Sequence, residues 1–202
     1  MKIRNLILIG VLCAVAAGCT SSQPAASSSS LQPEYRSTAT IKDIMDLIVD
    51  PNADELWGSV AFSVDATGTH DKFPRTDEEW KAVRRNVVTL MEATNLLMIP
   101  GRIVAKPHEK SENPGIELEP EEIQKLIDGD KRTFFDRAHG LHDAVMLALK
   151  AVDSKDKDML LESGDEIDQA CEKCHLKYWY PNEAQTQEQQ RQVIPPPTGT
   201  KK

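Results

Sequence analysis

One pentapeptide near the end of the chain restricts the fold more than any other feature. Cys171-Glu172-Lys173-Cys174-His175 is a single C-x-x-C-H. Any fold that uses it must set two thiols and an imidazole along one edge of a common site. The pattern is the covalent attachment signature of a c-type haem. Two thiols add across the two vinyl groups of the ring as thioethers, and the two intervening residues let both sulfurs reach one edge. The adjacent histidine then falls beneath the iron as an axial ligand. Other uses of C-x-x-C need other surroundings. A thioredoxin-like dithiol follows a strand at a helix start, whereas Asp158 to Gln169 is helical in pattern and charged, with no βαβ unit nearby. A zinc site needs further ligands at suitable spacing. His70, His108, His139 and His142 supply neither a second C-x-x-C nor an H-x-x-x-H.

The first residues predict the compartment. Met1-Lys2-Ile3-Arg4 is basic, and the apolar run Leu6 to Ala17 is too short to span a bilayer as a helix. It ends in Ala16-Ala17-Gly18-Cys19. This resembles a bacterial lipoprotein signal over residues 1–18, with cleavage before Cys19 and lipid on that residue. Several acyl chains on one residue anchor a protein stably. Thr20, where an aspartate would stand in an inner-membrane lipoprotein, resembles the outer-membrane sorting pattern, and either membrane leaves the folded part facing the periplasm. The cysteines are then all assigned: Cys13 leaves with the signal, Cys19 takes lipid, and Cys171 and Cys174 take haem. No pair remains for a structural disulfide.

Residues 19–37 are rich in Ser, Ala, Gln and Pro and read as a flexible tether. Residues 181–202, Gln-rich and then Pro-rich, read as a disordered tail. Residues 38–180 form one domain with helical patterning. Ile41, Ile44, Met45, Ile48 and Val49 share a face. Asp50-Pro51 is expected to break or kink this helix, Ala53 to Val64 is expected to continue it, and Gly68 to Pro74 is expected to be a loop. Thr76-Asp77-Glu78-Glu79 is a capping box that opens a second helix with Trp80, Val83, Val87, Leu90 and Leu97, stopped before Pro100-Gly101. The charged stretch Lys106 to Glu119 reads as a loop. Pro120 suits a first helical turn, Gly129 interrupts, and a third main helix runs from about Lys131 to Val152. Ser154 is the expected cap of a fourth, carrying Met159, Leu160, Ile167, Ala170 and Cys174. Alternating strand patterns are absent. The reading is an all-α, antiparallel four-helix bundle with haem attached near the C-terminal end of the last helix.

The stretch Ala170-Cys171-Glu172-Lys173-Cys174-His175-Leu176-Lys177-Tyr178 resembles class II cytochromes c, the family of cytochrome c prime and its low-spin relatives. The resemblance is carried by the motif on the last helix of a bundle, the preceding alanine and the tyrosine three residues after the histidine. It implies one covalent haem c, electron transfer or gas binding, and a homodimer built on the first two helices. Family members usually carry an arginine after that tyrosine. Trp179 stands there instead, and the long charged loop and the lipid anchor also depart from the soluble members.

The function then turns on what faces His175 across the iron. In an up-down-up-down bundle the start of helix one lies beside the end of helix four, which places Met45 near the open haem face. Low-spin family members use a methionine at a similar place, and a thioether ligand raises the potential and suits electron transfer. A core-packing role is the other reading of Met45. Met98, Phe134, Phe135, His139 and His142 are further candidates at that end. An iron without a sixth side chain would take nitric oxide or carbon monoxide. Arg84, Arg85 and Arg102 are candidates for haem propionate contacts or exposed surface cations, with Arg84 and Arg102 the two carried forward.

The formal net charge is −8. Phosphate contact needs a basic face, so nucleic acid is excluded as a partner. A basic redox partner and, through Cys19, a membrane are the expected partners. No catalytic triad, phosphate loop or metalloprotease motif is present in the sequence, and the protein is not expected to be an enzyme.

Overall fold

The computed structural model describes residues 35–183. The expected signal (1–18), the lipidated Cys19, the tether up to residue 34 and the tail from residue 184 lie outside the described residues. Among the described residues no helix is long and apolar enough to cross a membrane.

The first helical arm is one continuous rod in three parts. Helix α1 (Ile41–Ile44) opens on a capping box, with the Thr40 hydroxyl accepting from the Asp43 N–H and the Asp43 carboxylate accepting in return. A π-helical turn, Met45–Val49, follows, and α2 (Asp50–Ser59) continues the arm. The break expected at Asp50-Pro51 is therefore a widening of the helix. Pro51 has no N–H to donate, and its ring crowds the carbonyl one turn earlier. The Asp50 N–H reaches back five residues to the Met45 carbonyl, and the rod survives.

The arm stops at Ser59, short of the expected Val64. Val60 turns extended, and Ala61–Asp65 (β1) pairs antiparallel with Gly68–Lys72 (β2) in the register Ala61↔Lys72 to Asp65↔Gly68. This hairpin corrects the helix-then-loop reading. Phe62 and Val64 favour extended backbone, the Asp65 carboxylate accepts the Thr67 N–H at 2.7 Å, and Gly68 takes a positive φ of 132°.

Helix α3 (Asp77–Leu97) begins at the Thr76/Glu79 capping box as expected. Helix α4 (Pro120–Gly129) has Pro120 in its first turn, and α5 (Lys131–Ser154) follows after Asp130, whose carboxylate caps it at the Thr133 N–H. The cap of α6 (Lys157–Tyr178) is Asp156 rather than Ser154. Lys155 adopts the left-handed conformation that ends α5, φ 54°, and this moves the turn two residues on.

The long helices form a closed ring of neighbours: α2 on α3, α3 on α5, α5 on α6, and α6 back on α2. Polar contacts give the directions. Arg84 near the start of α3 meets Asp153 near the end of α5, and Lys177 at the end of α6 meets Asp130 before the start of α5. Ile41 donates to the Ile103 carbonyl just past α3. Trp57 late in α2 donates to the Gly164 carbonyl early in α6 at 3.2 Å. Each helix runs opposite to its neighbour, so the domain is an antiparallel four-helix bundle with one small hairpin. Its core is built from stripes such as Trp80, Val83, Val87, Leu90 and Leu97 on α3, and Phe134, Leu141, Val145, Ala148 and Val152 on α5.

Candidate cofactor cleft

The inward stripe of α6 runs Leu160, Gly164, Ile167, and then, at the same helical spacing, Cys171, Cys174 and Tyr178. Helical periodicity alone therefore turns both thiols toward the bundle interior. Tyr178 locks this turn in place. It is 1% exposed, meets Phe134 edge-on at 5.6 Å and directs its hydroxyl to the Asp130 carbonyl.

Above this turn lies a cleft of about 240 Å³, bounded by Met45, Asp50, Cys171, Cys174 and His175. Its walls are mostly apolar: Val49 and Ala53 from the first arm, Leu97 from α3, Phe134 and Leu141 from α5. Burial pushes the Cys171 thiol up to about 12, helped by the neighbouring Cys174 and then by Asp50 and Asp168. Burial also pushes Cys174 up to about 11, against the opposing charges of Arg137 and Lys177. Two strongly neutral thiols are the reverse of a disulfide-exchange site, which depends on thiolate. They suit an apolar guest to which they bond covalently.

Burial lowers the His175 pKa, opposed first by Asp50 and then by Glu172 and Glu117. The imidazole is held neutral, with a lone pair free for a metal. Desolvation at the cleft raises the Asp50 carboxyl, countered by His175. Among the described residues no three or more His, Cys, Asp or Glu side chains converge on a common metal position.

On its other side His175 borders a second cleft of about 220 Å³. The long segment between α3 and α4 folds over this side. It is tied down by Lys106 to Asp43 at 2.7 Å, by Lys42 to Glu112, and by the Leu118 N–H to the Trp179 carbonyl at 2.8 Å. Trp179 and Tyr180 flank the imidazole at ring distances of 6.1 and 5.9 Å. The Tyr180 hydroxyl donates to Glu172 at 2.7 Å.

The structure brings Met45, Cys171, Cys174, His175 and Phe134 together. Met45 borders both clefts, at the first position of the π turn. The two arginines carried forward from the sequence lie elsewhere. Arg84 is engaged with Asp153 at 2.8 Å at the opposite end of the bundle, because the antiparallel packing sets the start of α3 far from the end of α6. Arg102 closes the end of α3 by donating to the carbonyls of Leu96, at 2.7 Å, and Ala39. His139 is exposed and His142 stands 3.7 Å from Asp143; neither borders the cleft, nor does Met98.

The sequence reading missed Arg137, which lines the cleft wall. Its signal was present: it falls three residues after Phe134 and four before Leu141, on the apolar stripe of α5. Its Nε is buried and has no hydrogen-bond partner among the described residues. A covalently held ring with acidic side arms fits this donor set: neutral thiols, a neutral imidazole, apolar walls and one orphaned cationic donor.

No protein-family model matches the chain, and no curated protein matches its sequence. Among solved structures it is similar to cytochrome c prime from Alcaligenes xylosoxidans. It is 16% identical to a ferrous variant of that protein, over 72% of this chain and 99% of the other, with a TM-score of 0.42. It is 17% identical to a nitric oxide complex of another variant, over 73% and 99% of the two chains, again with a TM-score of 0.42. At that overlap the likeness decides nothing about cofactor or ligands.

Proposed function

We propose that the cleft holds one haem c and that the protein is an electron carrier rather than an enzyme. The observation that carries this reading is the convergence of Cys171, Cys174, His175 and Met45 on a single apolar cleft. Haem bound there supplies a one-electron iron couple. Cys171 and Cys174 hold the ring through thioethers, and His175 offers a neutral imidazole to the iron. Met45 offers the second ligand, a thioether that favours the reduced state. Val49, Ala53, Leu97 and Leu141 keep water from the ring. The fold faces the periplasm from a lipid anchor at Cys19, on the outer membrane, and its net negative charge steers a basic redox partner.

An alkaline pyridine spectrum and a visible spectrum of the purified full-length protein test this. The first is expected to show haem of the c-type, retained after denaturation. The second is expected to show low-spin iron in both oxidation states, with the weak long-wavelength band of methionine ligation in the oxidised protein. Met45→Ala is expected to remove that band and give high-spin iron. A wild-type protein that is high-spin and takes up nitric oxide or carbon monoxide directly would replace the carrier reading with gas binding. For the anchor, Cys19→Ser is expected to release the protein from the membrane fraction; a variant that stays membrane-bound would overturn it.

A further inference from the structure

Arg137 stands where the bundle would ordinarily place an apolar side chain. Phe134, Ala138 and Leu141 line the cleft from the same stripe of α5. Four other arginines of the domain are committed to partners, Arg75 to Asp71, Arg84 to Asp153, Arg132 to Asp136, and Arg102 to two carbonyls, while Arg36 and Arg85 are exposed. Arg137 joins none of the ion pairs found among the described residues. Its Nε is the buried side-chain nitrogen there that lacks an acceptor.

Three carboxylates border the cleft, Asp50, Asp168 and Glu172, and among the described residues none of them pairs with Arg137; Glu172 accepts from Tyr180 instead. The two thiols are neutral. Arg137 also borders a shallow depression on the outer side of α5 and α6, beside Gly140, Ala170 and Lys173; the carboxylates there, Asp136, Asp143 and Glu166, make no ion pair with it among the described residues, and Asp136 pairs with Arg132. The side chain thus spans the wall between cleft and surface, where a guest's polar arm would emerge. A buried donor without an acceptor is costly. A guanidinium is the side chain best matched to a carboxylate, which it binds through two parallel hydrogen bonds.

We propose that Arg137 is the carboxylate-binding group of this cleft and takes a propionate arm of the ring held by Cys171 and Cys174. The proposal rests on the haem reading given above. It makes Arg137 a binding residue that tunes the cofactor's charge environment. Neutralising it removes a positive charge near the iron, which favours the oxidised state and lowers the midpoint potential.

The test uses the haem-loaded, full-length protein with Arg137→Gln and Arg137→Lys. Two readouts are the propionate bending band in the resonance Raman spectrum and the midpoint potential at pH 7. Arg137→Gln is expected to shift the band and lower the potential. Arg137→Lys keeps the charge but not the planar fork, and is expected to shift the band while holding the potential closer to wild type. If the glutamine variant does not accumulate, the lysine variant's band decides alone. A band unchanged from wild type in the haem-loaded variants overturns the assignment. A wild-type protein without covalent haem overturns the haem reading itself, and the alkaline pyridine spectrum shows this before any variant is made.

Discussion

The two ends of the bundle treat their polar groups in opposite ways. Where α3 begins and α5 stops, charges meet one another: Arg84 pairs with Asp153, Lys155 with Asp77, and Glu79 closes the capping box with Thr76. Among the described residues, no buried side-chain nitrogen or oxygen at that end lacks a partner. Where α6 ends, the polar groups lining the cleft are desolvated instead. Cys171 and Cys174 sit neutral in an apolar cleft, His175 is held uncharged and the Arg137 Nε has no acceptor. Buried polar groups in a self-sufficient core are satisfied internally. The Arg137 Nε, unpartnered among the described residues beside two thiols and an imidazole in one cleft, sets this end apart from the other without reference to any motif.

Removing both thiols is the strongest way to break this contrast. Cys171→Ala with Cys174→Ala is expected to abolish covalent haem completely, read as loss of the c-type pyridine spectrum. It also removes the bound group's contribution to the folded state, so thermal unfolding is expected at a lower temperature. Retention of covalent haem by the double variant would show that the cleft end is not the attachment site.

Leu160 lies at the other end of α6 from the cleft, in its first turn, beside the stop of α5. It is fully buried on the same α6 stripe, about three turns before Cys171. Leu160→Ala is expected to cost about 2–5 kcal/mol in urea unfolding through transfer loss and a residual cavity. The haem spectrum is expected to stay that of wild type. A changed spectrum at native conditions would mean that the cleft is not insulated from the core below it.

Much of this division was legible in the sequence, and the failures have physical causes. Helix starts written in side-chain chemistry, Thr76 with Glu79 and Pro120, fall where expected. Leu160 and Ile167, expected on the fourth helix, are buried there. The π turn was invisible because Pro51 predicts trouble in a helix without saying whether the rod breaks or widens. The hairpin was missed because Phe62 and Val64 alternate with Ser63 and Asp65 over one short segment only, and the strand that pairs with it, Gly68–Lys72, carries no apolar pattern. Arg137 was missed because a charged residue in a helix is ordinarily solvent-facing, and that expectation outweighed its place on the apolar stripe of α5. Arg84 and Arg102 were favoured for the converse reason, since a sequence shows charge but not the acceptors already claimed by it.

Asp130 joins the end of α6 to the start of α5 and tests whether that end has a self-sufficient rim around its unsatisfied centre. Its carboxylate accepts from Lys177 at 2.9 Å and from the Thr133 N–H at 3.1 Å. The Lys177 bond, then Thr133, holds its pKa down to about 2. A carboxyl depressed on folding stabilises the native state above its unfolded value, about 3.9, and the contribution disappears as pH falls through the folded value. The urea midpoint of wild type is therefore expected to exceed that of Asp130→Asn by a constant margin above about pH 5, with the margin closing from about pH 4 down toward 2. A margin that widens on acidification would show that Asp130 is destabilising when charged.

The smallest effect is expected at the far end, and it gives the comparison its sharpest control. Arg84 and Asp153 are about half exposed, with side chains at 50% and 51%. Exposed pairs of this kind contribute about 0–1 kcal/mol and weaken further in salt. Arg84→Gln is expected to move the urea midpoint barely beyond error, and to leave the haem spectrum, the propionate Raman band and the midpoint potential at their wild-type values. The same chemical change, arginine to glutamine, is thus made once where every partner is already present and once, at Arg137, where none is. If Arg84→Gln lowers the potential as much as Arg137→Gln does, long-range charge alone accounts for both shifts. The carboxylate contact at Arg137 then rests on the Raman band alone.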